Sequence, residues 1–125
     1  MRRGWLSGVM AAGILWGLSL APAAAADVEA GRSTFVANCA ACHGETGDGQ
    51  GPAAVAMDPR PRDLTHGEFA FDTDADGVKG SEADLRNVIR QGAAAYGGSP
   101  LMAPWGHLSE AQVADLVAFI RGLSH

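Results

Sequence analysis

Apolar and polar positions recur with a helical period in three separate parts of the chain. In the first part, an Asp27 N-cap precedes apolar or small residues at spacings of three and four, which therefore share one helical face. These residues are Val28, Gly31, Phe35, Cys39 and Cys42. The glycine on this face indicates that a second helix crosses there at close range.

The second part predicts a short amphipathic helix. Ser81 and Asp84 form an S-x-x-D capping pattern, and the apolar stripe that follows stops at Gly92. Glu82 and Arg86 lie four positions apart, so we expect them to form an ion pair on the exposed side of this helix.

The third part carries the strongest helix signal. Ser109 and Gln112 form a capping box, and Phe119 flanks the apolar stripe that follows them. The stripe consists of Val113, Leu116, Val117, Ile120 and Leu123. We expect this helix to cross the first one at Gly31 and to place Phe119 against Phe35.

Two glycine-rich segments without helical or strand periodicity separate the predicted helices. Residues 44–76 are rich in Gly, Pro and Asp, and loops longer than about 15 residues are uncommon in compact domains unless they serve a function. Residues 97–106 form a second loop, which contains Met102, Pro104 and Trp105. No segment predicts a strand, so the predicted fold class is all-α, with about three to four helices.

The N-terminal residues have the pattern of a secretory signal peptide. Arg2 and Arg3 precede an uncharged apolar run over residues 5–20, and an A-x-A pattern follows at 24–26. A membrane span needs roughly 20 apolar residues. We therefore predict a signal peptide at 1–26, export by the general secretory route, and one domain at 27–125 without a stable membrane span. An uncleaved N-terminal anchor is the alternative, and it also places the domain outside the cytoplasmic membrane.

The charge of residues 27–125 excludes one class of partner. The nine Lys and Arg residues include Arg2 and Arg3, which leaves seven against fourteen Asp and Glu residues and a net charge near −7. Nucleic acid is therefore an unsuitable partner. A protein with a basic docking surface is a suitable one, because complementary charge speeds encounter. Solubility alone is the other explanation of this charge.

The only two cysteines form a C-x-x-C-H motif with the next residue, as Cys39, Cys42 and His43. Three chemistries use such a motif: covalent haem attachment, a thioredoxin-like redox pair and half of a zinc site. A zinc site needs four ligands, and no second Cys pair or H-x-x-x-H completes one. A redox pair belongs in a βαβ unit, and no strand is predicted. Together with the export signal, the motif favours covalent attachment of one haem c.

The sixth ligand of the iron decides between electron transfer and small-molecule chemistry. His43 follows the two attachment sites directly and is the predicted proximal ligand. Met102 is the preferred ligand for the opposite side, because its loop is far enough along the chain to return over the other face of the haem. Met57, His66 and His107 are the remaining candidates.

Four sequence stretches resemble bacterial class I cytochromes c, and the resemblance covers nearly all of residues 27–125. The stretches are Asn38-Cys39-Ala40-Ala41-Cys42-His43-Gly44, Gly47-Asp48-Gly49-Gln50-Gly51-Pro52, Leu101-Met102-Ala103-Pro104-Trp105-Gly106 and Leu116-Val117-Ala118-Phe119-Ile120-Arg121. The resemblance implies a small cytochrome c-like helical domain wrapped around one covalent haem. One departure is Ala103, since many relatives have proline directly after the methionine ligand.

The resemblance also implies roles for two further residues. The carbonyl of Pro52 is expected to accept the ring N–H of His43 and so to fix the imidazole. Trp105 is similar to a tryptophan that commonly lies near the haem propionates. From their residue type, Arg60 and Arg62 are candidates for offsetting the propionate charge, with solvated loop arginines as the alternative.

Asp72, Asp74 and Asp76 match the first half of a calcium loop, D-x-D-x-D-G. The second half does not match, because position twelve is Ala83 and Glu82 falls one residue short. We therefore expect an acidic turn without a tight calcium site.

These observations predict a periplasmic single-electron carrier with one covalent haem. It is either a soluble shuttle or the cytochrome subunit of a periplasmic redox enzyme, either a monomer or part of a redox complex, and not itself an enzyme. The alternative is a haem enzyme or gas-binding sensor with a displaceable sixth ligand. A thiol–disulfide oxidoreductase is a third class, which predicts free thiols and no haem.

Overall fold

The three segments with helical periodicity form the main helices of the protein. The computed structural model describes residues 13, 17, 18 and 24–124, so most of the predicted signal peptide lies outside the described residues. The helices are α1 (Val28–Asn38), α2 (Ala40–His43), α3 (Glu82–Gln91) and α4 (Glu110–Gly122), with single 3₁₀ turns at Ala54–Ala56 and Ala93–Tyr96. The described residues contain no strand. The all-α prediction is confirmed.

Side chains predicted to cap the helices do so. The Asp27 carboxylate accepts a hydrogen bond from a backbone N–H of the first turn of α1. Ser81 and Asp84 bond reciprocally at the start of α3, at 2.9 and 3.1 Å. Ser109 and Gln112 do the same at the start of α4, at 2.9 and 3.1 Å. Each capping box satisfies two backbone donors that the helix itself cannot pair.

The crossing of α1 and α4 forms the centre of the core. A Cβ atom at Gly31 would collide with the backbone carbonyl of Asp115, so the two helix backbones approach each other closely. Phe35 is fully buried beside this crossing, and its ring centroid lies 5.2 Å from that of Phe119. The predicted helix pair and its aromatic contact are confirmed.

The first apolar face differs from the prediction at both of its ends. Val28 is 52% exposed, so the buried part of the face begins at Gly31. Cys39 has φ −119° and ψ −28°, which ends α1 and starts the short α2. The thiols therefore belong to a helix junction rather than to one continuous helix.

The predicted ion pair on α3 forms with a different partner. Glu82 lies 3.3 Å from Arg121 of α4 instead of pairing with Arg86. The pair joins two helices, because α3 and α4 pack against each other and bring the Glu82 carboxylate to the last turn of α4.

The long glycine-rich segment is a loop, as predicted, with one 3₁₀ turn at Ala54–Ala56 as its regular structure. The loop folds back on itself, since the N–H of Leu64 donates to the carbonyl of Gly47 at 2.7 Å. Within the part of the chain that the structure describes, none of the helices has the length and apolar character needed to cross a membrane.

Candidate functional site

A cavity of about 460 Å³ opens between the helices and the two long loops. Its wall is formed by the end of α1, α2, residues 57–71, α3 and residues 98–105. Much of the wall is apolar and includes Phe35, Leu64, Phe69, Leu85, Ile89 and Ile120. A space of this size and composition suits a largely apolar ligand.

Both cysteines line this cavity and are half-buried. Burial, with a smaller contribution from neighbouring Cys42, raises the pKa of the Cys39 thiol to about 11. A catalytic disulfide pair needs a thiol with a lowered pKa, because the thiolate is the nucleophile. The site therefore argues against a thiol–disulfide oxidoreductase and leaves both sulfur atoms facing a space that a large apolar group can fill.

His43 lines the same cavity and is held by a backbone carbonyl. Its Nδ1 lies 2.9 Å from the carbonyl oxygen of Arg62. A carbonyl oxygen only accepts, so Nδ1 carries the proton and the lone pair of Nε2 remains for a metal. Burial lowers the pKa of His43, an effect that the bond to Arg62 opposes. Burial therefore favours the neutral imidazole that metal ligation requires, and the bond to Arg62 fixes its tautomer.

The expected bond between Pro52 and His43 is a prediction that the structure contradicts. The Gly51–Pro52 turn is tied to α2 instead, since the N–H of Gly51 donates to the carbonyl of Cys42 at 3.1 Å. Pro52 is exposed and is not among the residues of the cavity wall. The later part of the loop returns to the imidazole, and the carbonyl of Arg62 takes the role expected of Pro52.

No feature of the sequence indicated this role of Arg62. A backbone carbonyl has the same chemistry in every residue, so only the path of the loop decides which one reaches the ring. That path packs closely, because a Cβ at Gly49 would lie 2.8 Å from the carbonyl oxygen of Pro61.

Three of the four candidates for a sixth ligand line the cavity: Met102, Met57 and His66. His107 is not part of the wall, and its ring packs at 5.5 Å from Trp105. His107 therefore lies outside the cavity wall, whereas the other three candidates line the same space.

The loop that carries Met102 is fastened to the end of α3. The Met102 carbonyl accepts a hydrogen bond from the N–H of Ala93 at 3.2 Å. The N–H of Trp105 donates to the carbonyl of Ile89 at 2.8 Å. A Cβ at Gly92 would lie 2.9 Å from the Met102 carbonyl oxygen, so the turn after α3 and this loop are in close contact. These bonds hold Met102 and Trp105 at the cavity.

The two arginines suggested for the propionates also lie at the cavity. Arg60 and Arg62 are both exposed residues of its wall. The Arg62 guanidinium donates from Nη1 to the carbonyl of Glu68 at 2.8 Å. This bond ties the Arg62 side chain to the backbone of the same loop at Glu68.

The acidic turn after the first loop contacts α3. Carboxylate oxygens of Asp72, Asp74 and Asp84 lie within 4.8 Å of one another. The predicted half-motif included Asp76 but not Asp84, which is nearly completely buried. The Asp72 carboxylate accepts backbone N–H bonds from Asp76 and Gly77, at 3.1 and 2.9 Å. These bonds fit the expected acidic turn.

Comparison with known proteins identifies the family. The model of the family described as cytochrome C oxidase, cbb3-type, subunit III matches residues 26–120. The chain belongs to this family. This cytochrome is 35% identical over 113 residues to the cbb3-type cytochrome c oxidase subunit FixPc of Rhizobium leguminosarum bv. viciae. The matched region covers 90% of this chain and 33% of that subunit.

A solved structure has the same fold. A chain of the reducing HAO-like protein complex of Kuenenia stuttgartiensis is 33% identical to the cytochrome, with a TM-score of 0.65. The match covers 78% of this chain and 43% of that chain. The cytochrome thus spans less than half the length of either relative.

Family membership makes the chain a monohaem c-type cytochrome, and the family implies a covalently bound haem c. The residues of the cavity fit this group. Two thiols and a neutral imidazole with a free Nε2 lie on one side of an apolar space, and a thioether-bearing loop lies at the same space. Sulfur and imidazole are the groups that hold haem c in proteins.

Proposed function

We propose that this cytochrome carries single electrons outside the cytoplasmic membrane through one haem c. The observation that carries the proposal is the convergence of Cys39, Cys42 and His43 on one apolar cavity that Met102 also lines. Bound there, the haem supplies an iron that accepts and releases one electron. Thioether bonds to both cysteines fix it permanently, which suits a small domain with a limited core.

His43 and Met102 are the proposed axial ligands. The Arg62 carbonyl holds the imidazole in the tautomer that presents Nε2, which supports His43. The bonds of residues 102–105 to the end of α3 hold the methionine loop at the cavity, which supports Met102. Two protein ligands leave no open coordination position, so the site favours electron transfer over oxygen or peroxide chemistry.

The protein contributes rigid, largely apolar surroundings for electron transfer. Fixed ligands and fixed hydrogen bonds reduce the movement that accompanies a change of charge on the iron. The aromatic pair Phe35 and Phe119 packs between α1 and α4 next to this site, and Phe35 is itself part of the cavity wall. The helix crossing thereby supports the wall on the side of His43.

The proposed setting is the periplasm, reached by the general secretory route after removal of residues 1–26. The apolar N-terminal run and its A-x-A end support export. The proposed partners are redox proteins with basic docking surfaces, in a complex or by transient encounter. The named relatives, an oxidase subunit and a chain of an HAO-like complex, support a redox complex, and the net charge near −7 supports a basic partner.

The test is spectroscopy of the purified holoprotein together with two matched methionine variants. Mass spectrometry of the wild type is expected to show one covalent haem. The ferric spectrum is expected to show the weak far-red band of methionine sulfur on iron. Met102→Ala is expected to lose this band and to bind carbon monoxide rapidly when reduced, because an open position binds small ligands. Met57→Ala is the control and is expected to keep the band.

Three results would count against the proposal. A colourless protein with two reactive thiols would remove the haem. Loss of the band in Met57→Ala but not in Met102→Ala would move the sixth ligand to Met57. Rapid carbon monoxide binding by the reduced wild type would favour a haem enzyme or gas sensor over an electron carrier.

A further inference from the structure

One residue of the cavity wall carries a buried carboxylate that caps α3 but has no part in the haem attachment or iron ligation proposed above. Asp84 is 1% exposed. Among the described residues, no other polar or charged residue is buried to this extent. It is part of the wall of the cavity, next in the chain to the apolar wall residue Leu85. A charge in such a place costs free energy unless it is stabilised, so the contacts of Asp84 decide whether it stays ionised.

Neutral donors surround both oxygens of this carboxylate. Oδ1 accepts from the backbone N–H and the hydroxyl of Thr73, and Oδ2 accepts from the backbone N–H and the hydroxyl of Ser81, both at 2.9 Å. Asn87 donates in turn to the hydroxyl of Thr73 at 2.9 Å. Burial by itself raises the pKa of Asp84, but the bonds from Thr73 and Ser81 outweigh it and lower the pKa to about 2. The group is an anion at neutral pH.

Within the described part of the chain, no Lys, Arg or His side chain forms an ion pair with this carboxylate. The ion pairs among the described residues, with nitrogen and oxygen within 4 Å, involve Glu29, Asp63, Glu110 and Glu82 but not Asp84. Hydrogen bonds from neutral groups stabilise a carboxylate without removing its net charge. Asp72 and Asp74, whose oxygens lie within 4.8 Å of those of Asp84, add further negative charge on the same side. Asp84 therefore contributes a negative charge to the cavity wall that no ion pair of the described residues neutralises within 4 Å.

We propose that the buried negative charge of Asp84 lowers the midpoint potential of the haem. Ferric iron has one more positive charge than ferrous iron, so a fixed anion nearby stabilises the ferric form. The effect is strong for a buried charge because water and salt screen it poorly. This inference rests on the proposed function, since it needs the haem to occupy the cavity.

The decisive variant is Asp84→Asn, which removes the charge with little change of shape. The midpoint potential is expected to rise, with a change of about tenfold in the ferric-to-ferrous ratio at a fixed solution potential, equivalent to 59 mV for one electron. Glu29→Gln is the matched control, because it removes one negative charge from an exposed site on α1. It is expected to leave the potential unchanged.

The sign of the shift separates the electrostatic role from a structural one. Loosening of the cavity admits water, which favours the more highly charged ferric form and lowers the potential. Loss of the Asp84 charge raises it. A fall or no change in Asp84→Asn, or an equal rise in Glu29→Gln, would overturn the proposal.

A second pair of variants keeps the carboxylate and tests the same idea if Asp84→Asn does not fold. Thr73→Val removes one of the two donors to Oδ1. The hydroxyl dipole then no longer offsets part of the carboxylate charge, so the midpoint potential is expected to fall. Asn87→Ala loosens the same contact without touching the carboxylate and is expected to leave the potential unchanged. A rise in Thr73→Val, or the same fall in both variants, would overturn the proposal.

Failure of this inference differs from failure of the proposed function. Absence of covalent haem from the wild type, seen by mass spectrometry, would refute the proposed function. A wild type with the expected haem spectrum but an unchanged potential in Asp84→Asn would refute only the role of Asp84.

Discussion

At the scale of single residues, the site depends on polar groups that are fixed by backbone contacts. His43 is held by the carbonyl of Arg62, and Asp84 is held by N–H groups of Thr73 and Ser81. Such bonds cost little side-chain entropy because one partner in each is already fixed by the fold. They explain how the described residues order polar groups beside an apolar cavity.

The hydrogen bonds of Asp84 predict how stability depends on pH. Its pKa in the folded protein is lowered to about 2 from an unfolded value of 3.8. The unfolded chain therefore binds the proton first, and stabilisation by the ionised carboxylate is complete above pH 3.8 and is lost as the pH falls towards 2. Urea unfolding of the wild type at a series of pH values is expected to show this loss.

Asp84→Asn tests the assignment of this acid-dependent stability. The variant is expected to be less stable than the wild type at pH 7, by roughly 1–3 kcal/mol, because donors of Thr73 and Ser81 lose their charged partner. Its stability is expected to fall less between pH 4 and pH 2. Parallel pH profiles for the two proteins would assign the acid sensitivity to other carboxyl groups.

The sequence predicted the side chains of the site better than their supporting contacts. The C-x-x-C-H motif identified Cys39, Cys42 and His43 as cavity residues, because attachment chemistry requires those residue types at that spacing. Arg62 was considered only for its guanidinium, as a candidate near the propionates or a solvated loop arginine, whereas its carbonyl lies 2.9 Å from Nδ1 of the imidazole. Backbone acceptors have no sequence signature, so the expectation for Pro52 was wrong.

At the scale of helices, the close crossing of α1 and α4 predicts that one methyl group added at Gly31 lowers the stability of the fold. Gly31→Ala places a Cβ against the backbone of Asp115, and neither helix can shift without disturbing Phe35. We expect a loss of roughly 1–3 kcal/mol from this overpacking. Thermal unfolding of the holoprotein measures it.

Gly122→Ala is the matched control for this crossing. Gly122 ends α4, and a Cβ there meets no atom within 4 Å. Alanine has a higher helix propensity than glycine, so this variant is expected to be neutral or slightly more stable, by up to about 1 kcal/mol. Equal losses in the two variants would show that the Gly31 contact with α4 has no special role.

Local signals explain which helix features could be predicted. Capping boxes and apolar stripes involve residues within one or two turns, so Ser81, Ser109 and the α4 stripe were predicted correctly. The partner of Glu82 was not, because Arg121 comes close only after α3 packs on α4. The contact of Asp84 with the 72–74 turn depends on the path of the long loop in the same way.

At the scale of the whole molecule, a packed helical core lies beside the cavity that the loops border. The α1–α4 pair supplies the buried aromatic and aliphatic residues, while the loops supply most of the candidate ligands and charged groups. The sequence predicted this division, since both glycine-rich segments lacked periodicity and carried the candidate ligands. It did not predict which charges would be buried, because burial follows from the tertiary packing around Asp84.

The net negative charge of residues 27–125 predicts that the rate of electron transfer depends on salt concentration. Residues 27–125 have a net charge near −7, and interactions of exposed charges are screened over about 10 Å at 0.1 M salt. Electron-transfer rates with a cationic ruthenium hexaammine complex are therefore expected to fall as salt is added. Rates with anionic hexacyanoferrate are expected to rise, because the same screening weakens a repulsion.

Stopped-flow absorbance with both reagents at several salt concentrations tests this expectation and the proposed basic partner together. Opposite salt slopes mean that the negative field reaches the place where electrons enter and leave, so a basic protein surface gains the same attraction. A rising rate for the cationic reagent would mean that positive groups at the cavity, such as Arg60 and Arg62, control the local field. In that case the partner would need an acidic docking surface, despite the net charge of the domain.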